Sequence, residues 1–359
     1  MTLSTPLLAA APLIAGLMGP AIVGAAPSEP HVESRPIVRS AAQERTPPVA
    51  DIVERVATRS AADQRRVLAY WTPERMAAAL PIKLLDELHK TLDGDGLLSG
   101  LSNRTGLGAA PELANGVTKV TPRRQSARPQ TTTFGSRWVT GGAVAKTTGR
   151  VFLTLDGVDF VCSAGTVKSA NKDVVVTAGH CVKDGRGVWA ENWTFVPGYI
   201  EGGDRPYGTF TARRMFVAGP WSRSADDSYD IAMVALNKYG GKHVADAVGT
   251  QDIAFNAGRG GQVFGFGYPA DPPYDGERLI YCAGRVRDDP HGATRDQGLG
   301  CDMTAGSSGG PWMSGFNAST GRGTVMSVSS FKYSDDRETM YGPYFGDAAK
   351  ALFGTAERA

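Results

Sequence analysis

Charge of one dominant sign is the first thing this sequence lacks. Its 38 Lys and Arg stand against 36 Asp and Glu, leaving a formal net charge of +2 over 359 residues, so no bulk field draws the chain to nucleic acid. Metal-ligating spacings are missing as well: there is no C-x-x-C and no H-E-x-x-H, and Asp93 and Asp95 in "DGDG" lack the downstream acids of a calcium loop. Neither a metal nor an organic cofactor is expected. Beyond the N-terminal stretch no apolar run approaches the ~20 residues that span a bilayer, so no stable membrane anchor is expected either. No repeat is visible at the level of residue identity.

The abundant residues point to short strands. The chain holds 45 Gly and 22 Pro, which punctuate it with turns. After residue 134 come the runs "RVFLTLDG", "DVVVTAGH", "DIAMVAL", "GQVFGFGYP" and "GTVMSVSSF", rich in β-branched and aromatic residues. An all-β domain is therefore expected over residues 134–359.

The region before it divides into two parts. "MTLSTPLLAAAPLIAGLMGPAIVGAAP" carries no charged side chain and reads as a signal peptide, residues 1–26, with small residues for cleavage near Ala25 or Ala26. Its first residues lack Lys and Arg, and Pro12 and Pro20 interrupt the run in a way that disfavours an anchor. Residues 27–133 read as a helical pro-segment and basic linker. Ile52, Val53 and Val56, then Leu84, Leu85, Leu88 and Leu92, recur at helical spacing; Thr72-Pro73-Glu74 is a helix start, and Pro81 ends that helix or begins the next. No acidic side chain occurs between Leu113 and Leu155, and Arg123-Arg124 lies where proteolytic nicking concentrates.

The expected compartment is extracellular, and four cysteines fit it as disulfides. Three connectivities are possible. The sequence-near pairing, Cys162 with Cys181 and Cys282 with Cys301, closes loops of about 20 residues, each contributing roughly 3 kcal/mol by loop entropy.

Acyl transfer by serine needs a hydroxyl, a base, a carboxylate to orient that base, and N–H groups to hold an oxyanion. "VVVTAGHCV" places His180 after an apolar strand. "SYDIAMVAL" places Asp230 at the start of another, while Asp226 and Asp227 read as loop charges. "DMTAGSSGGPW" sets Ser307 and Ser308 among glycines that permit close backbone approach.

"TAGHC", "DIAMV" and "GSSGGP", in that order, resemble the chymotrypsin-like serine proteases over roughly residues 140–345, nearest to the secreted bacterial branch that includes the glutamyl endopeptidases. The resemblance implies two six-stranded antiparallel β-barrels with the site between them. It also implies a His180, Asp230, Ser308 triad, an oxyanion hole from the N–H groups of Gly306 and Ser308, and an endopeptidase acting on proteins or peptides; nothing in the sequence points to more than a monomer. Ser307 stands where trypsin and chymotrypsin have the aspartate that pairs with a new N-terminus, so activation is expected to work through removal of the chain's own pro-segment. Asp302, six residues before Ser308, is at the offset of the acid that selects basic side chains. Ser329 or Ser330 stands where glutamate-specific relatives carry histidine. A non-catalytic binding protein on the same fold and an ester hydrolase are the rival readings.

Overall fold

The computed structural model describes residues 51–82 and 129–359, all within one unit running from Thr46 to Ala359. The expected signal peptide, the leucines from Leu84 to Leu92 and the Arg123-Arg124 pair lie outside the described residues. The first described stretch contributes strand β1 (Ile52–Val56), helices α1 (Ala61–Tyr70) and α2 (Pro73–Ala78), and strand β2 (Leu80–Pro81). Both helices start where a hydroxyl accepts from the third residue onward: Ser60 from the Asp63 N–H and Thr72 from the Arg75 N–H, with Pro73 in the first turn. The expected helix over Ile52, Val53 and Val56 is instead a strand. Ile52 packs against one buried cluster and Val53 against another, which is the two-sided alternation of a strand. β-Branched residues suit it, and an open sheet edge is there to pair with.

The second stretch opens with β3 (Thr133–Arg137), which joins the C-terminal sheet. Next come β4 (Thr148–Leu155), β5 (Val158–Thr166), β6 (Val174–Thr177), β7 (Glu191–Pro197), β8 (Phe210–Ala218) and β9 (Ala232–Leu236). They pair in the order β8-β7-β4-β5-β6-β9, and β9 returns to β8, so six antiparallel strands close on themselves. Alternation fills the barrel: Val151 and Leu153 point inward with Phe160, Phe195 and Met215, while Phe152 faces the opposite side. Each such side chain contributes about 1.5–3 kcal/mol on burial.

The C-terminal half holds β10 (Asp252–Ile253), β11 (Gln262–Gly267), β12 (Ile280–Arg285), β13 (Arg287–Asp288), β14 (Gln297–Gly300), β15 (Pro311–Asn317), β16 (Arg322–Val328) and β17 (Thr339–Gly342). Its strands pair as a six-stranded sheet, β10-β16-β15-β11-β12-β3, and a three-stranded ribbon, β13-β14-β17. Side chains unite the two: Val263, Ile280 and Trp312 of the sheet share a buried cluster with Leu299 and Met340 of the ribbon. The Cys282–Cys301 disulfide, with Cα atoms 5.3 Å apart, ties β12 to the end of β14.

Candidate active site

His180 follows β6 on a short turn whose tightness depends on Gly179. A Cβ there would come within 2.9 Å of both Asp230 Oδ1 and the Trp221 ring. The next residue, Cys181, is bonded to Cys162 of β5, so the histidine is anchored to two strands of the closed barrel. Asp230 caps the end of a 3₁₀ turn, Asp227–Tyr229, two residues before β9 begins. Its Oδ1 accepts the His180 backbone N–H at 2.7 Å, and its Oδ2 meets His180 Nδ1 at 2.7 Å. Ser330 donates its hydroxyl to the same Oδ2. Burial pushes the Asp230 carboxyl up, but the neighbouring His180 and the hydrogen bonds from His180 and Ser330 outweigh it and hold the group below the usual carboxylate range.

Ser308 lies on the loop between β14 and β15, whose glycines are dictated by contact. Gly306 (φ +93°) leaves no room for a side chain: a Cβ would stand 2.9 Å from the Tyr268 carbonyl oxygen. At Gly309 (φ +78°) it would overlap Thr177 Oγ1 at 2.0 Å. The loop is pinned to β5, since the Ser163 N–H donates to the Ser308 carbonyl at 2.7 Å and the Ser163 hydroxyl to that of Gly306 at 2.9 Å. Within it, the N–H groups of Ser307, Gly309 and Gly310 are taken by Thr304, Ser329 and Ser307 carbonyls. Those of Gly306 and Ser308 have no acceptor among the described residues. Two acceptor-free donors on one tight loop, one of them the N–H of the serine itself, are what an oxyanion needs. Ser307 is fully buried and gives its hydroxyl to the Thr304 carbonyl at 2.7 Å, closing the loop locally without an ion pair.

A cavity of about 310 Å³ brings His180, Ser307 and Ser308 together with Met303, Ala305 and Met340. Lys332 also lines it, its ammonium donating to the Cys301 and Arg337 carbonyls at 2.6 Å each. Asp302 is not among its lining residues. Its carboxylate accepts from the Tyr274 hydroxyl at 2.6 Å and lies against Gly135, where a Cβ would meet Oδ1 at 1.9 Å, so the expected pocket acid is turned elsewhere. Ser329 is also held away: it is fully buried, and its hydroxyl accepts from Trp312 Nε1 at 3.0 Å, while Ser330 is the serine that lines the cavity. The sequence leaves these two serines unresolved because strand alternation places them on opposite faces without saying which faces the site. Trp221 packs beside the His180 ring with centroids 6.4 Å apart. Ile82 also lines the cavity, and nothing in the sequence marks it.

Among the described residues, the only group of three donors close enough to share a metal ion is Cys162, His180 and Cys181, and its two sulfurs are bonded to each other. A curated relative, an extracellular metalloprotease of Bacillus subtilis (strain 168), is 39% identical over 67 residues, which is 19% of this chain and 21% of that protein. The chain thus matches about a fifth of that relative's length. Solved structures align far more extensively. The protease Anisep of Arthrobacter nicotinovorans is 40% identical with a TM-score of 0.58, covering 62% of this chain and 99% of that one. A thermostable serine protease, AL20, from an extremophilic microorganism is 39% identical with a TM-score of 0.57, covering 60% and 99%. A Glu endopeptidase shares the fold at 18% identity and a TM-score of 0.50, covering 63% and 97%. The trypsin family profile matches residues 139–346, more than half of the chain. This chain belongs to the trypsin family of serine proteases.

Proposed function

We propose that the chain is the precursor of a secreted serine endopeptidase in which Ser308 is the nucleophile, His180 the general base and Asp230 the group that orients His180. The observation that carries this reading is the convergence, at one cavity, of His180 held at two points by a buried carboxylate and Ser308, whose own N–H and that of Gly306 have no acceptor among the described residues. In the first step the Ser308 hydroxyl attacks the carbonyl carbon of a peptide bond and its proton passes to His180. The carbonyl oxygen, now anionic, is held by the Gly306 and Ser308 N–H groups. His180 then protonates the leaving amine, and water, activated by the same imidazole, hydrolyses the acyl-enzyme. Asp230 stays ionised throughout and holds the imidazole in the tautomer whose outer nitrogen faces the serine.

Secretion is supported by the two disulfides, Cys162–Cys181 and Cys282–Cys301, and by the extracellular description of the B. subtilis relative. Residues 1–26 serve as the signal peptide and residues 27–133 as a pro-segment with its linker. The serine protease descriptions of the solved relatives support peptide bonds as the substrate.

The test compares secreted wild-type protein with Ser308→Ala on a mixed proteome, with mass spectrometry of the peptides released and of each mature N-terminus. Wild type is expected to cut, with kcat reduced by about 10⁶-fold in the variant. If the variant cuts as fast, Ser308 is not the nucleophile. Hydrolysis of esters without peptides would leave an esterase on this fold, and neither hydrolysis nor labelling of Ser308 by a fluorophosphonate would leave a binding protein.

A further inference from the structure

Residues 51–82 are bound to the first barrel through three kinds of contact. β1 extends the sheet edge of β8 in antiparallel register, Ile52 opposite Ala218 and Val56 opposite Arg214, and the Asp51 carbonyl and Thr58 hydroxyl add bonds at each end, to the Gly219 N–H at 2.7 Å and the Ala212 carbonyl at 2.9 Å. Trp71, 2% exposed, packs on Phe152 with ring centroids 5.5 Å apart and donates its indole N–H to the Asn192 carbonyl. Asp159 accepts from the Tyr70 hydroxyl at 2.8 Å and pairs with Arg75 at 3.2 Å. Past α2 the chain turns onto β5 as β2, with Leu80 opposite Phe160 and Pro81 opposite Val161 in parallel register. This delivers Ile82, 4% exposed, into the lining of the cavity that holds His180 and Ser308.

The contacts fall in two separate places. β1 and Trp71 sit on the barrel edge and wall, whereas Ile82 is a single aliphatic side chain in the lining of the cavity that holds His180 and Ser308. All of the anchoring bonds are non-covalent and lie upstream of Ile82, so a cut further along the chain breaks none of them. Two strand pairings and a buried tryptophan also present an extended surface of the sort that holds a partner by strand addition.

We propose that the β8 edge and the Trp71 slot form a binding surface for the chain's own residues 51–82, and that this fragment remains docked after the linker is cut, with Ile82 covering the site. Departure or destruction of the fragment, and not the cut itself, exposes Ser308. The inference rests on the reading of Ser308 as nucleophile.

The test uses the full chain carrying a recognition sequence for an unrelated, highly specific protease between Gly108 and Ala109. After cutting, the fragment and body are followed by size-exclusion chromatography, and Ser308 labelling by a fluorophosphonate is timed before and after the fragment is stripped in mild denaturant and the body returned to buffer. The fragment is expected to co-elute with the body, and labelling to accelerate at least ~10-fold once it is removed, the scale of one buried aliphatic contact. In Ile82→Asp the fragment should still co-elute while labelling is already fast. Ile82→Ala, which keeps the backbone pairing, should move in the same direction by a smaller factor. A fragment that leaves as soon as the chain is cut, or equal labelling with it bound and removed, overturns the proposal. If Ser308 fails to label in every form while the body stays folded by circular dichroism, the nucleophile reading itself falls, an outcome distinct from fast labelling under a bound fragment.

Discussion

Two aspartates near the junction of the barrel and the C-terminal ribbon, Asp230 at 2% exposed and Asp296 at 0%, are equally deep yet are pushed in opposite directions as acids. Asp230 has donors on both oxygens, the His180 backbone N–H on one and the His180 ring with the Ser330 hydroxyl on the other. Neither oxygen of Asp296 has a hydrogen-bond partner among the described residues. Burial, and then the charges of Asp230, Asp227, Asp289 and Asp226, push the Asp296 carboxyl up to about 8. Depth alone therefore does not decide the charge of a buried acid; the neighbouring charges and the donors aimed at it do. Donors surround Asp230, the carboxylate that the proposed mechanism needs ionised, while among the described residues none reaches Asp296, which favours its protonated form.

The largest break in this contrast is Asp230→Asn, which keeps the shape and removes the charge. Its amide nitrogen faces His180 where an acceptor is required, so the imidazole settles in the wrong tautomer, and kcat on a peptide substrate is expected to fall about 10⁴-fold. A loss of only a few-fold would mean that His180 is oriented by other groups. The second break is Asp296→Asn. An unfolded aspartate releases its proton near pH 3.9, whereas folded Asp296 keeps it up to about 8, so wild-type stability declines as pH rises between those values and levels off above the upper one. The asparagine variant lacks this decline. Its melting temperature relative to wild type should rise steadily from pH 5 to pH 8 and stay level beyond, as read by scanning calorimetry. Parallel curves for the two proteins would show that Asp296 is ionised in the fold.

Much of the site was legible because its residues are constrained locally. Gly179 and the glycines of the Ser308 loop are required by overlaps under 3 Å, and such constraints leave short, recognisable words such as "TAGHC" and "GSSGGP". The β-rich runs after residue 134 were legible for a similar reason, because two-sided burial demands β-branched and aromatic residues. What failed was whatever depends on distant partners. Ile52, Val53 and Val56 fit a helix by spacing and became a strand because the β8 edge lies across the fold. Asp302 sits at the expected offset, yet Tyr274, 28 residues away, claims its carboxylate. Trp71 and Ile82 carry no local signature at all, since their roles arise from the surface they land on.

Ser330 provides the smallest and sharpest test of the contrast between the two aspartates. It is one of three donors to Asp230, and the other two both come from His180. Ser330→Ala leaves the histidine pairing intact and removes a single hydrogen bond to a charged acceptor, a contribution of about 1.5–3 kcal/mol, although the remaining donors offset part of it. A reduction in kcat of about 10-fold is expected with KM little changed, because the bond acts on the ionised carboxylate and touches no substrate. The pH profile separates this from a loss of packing. With one donor gone, Asp230 keeps more of its negative charge for the protonated imidazole, so the acid limb of kcat/KM, which reports loss of the free base His180, should move to higher pH, and Ser330→Thr, which restores a hydroxyl, should move it back. A uniform drop in rate with an unshifted acid limb would mean that the third donor merely fills space, and that His180 alone keeps Asp230 different from Asp296.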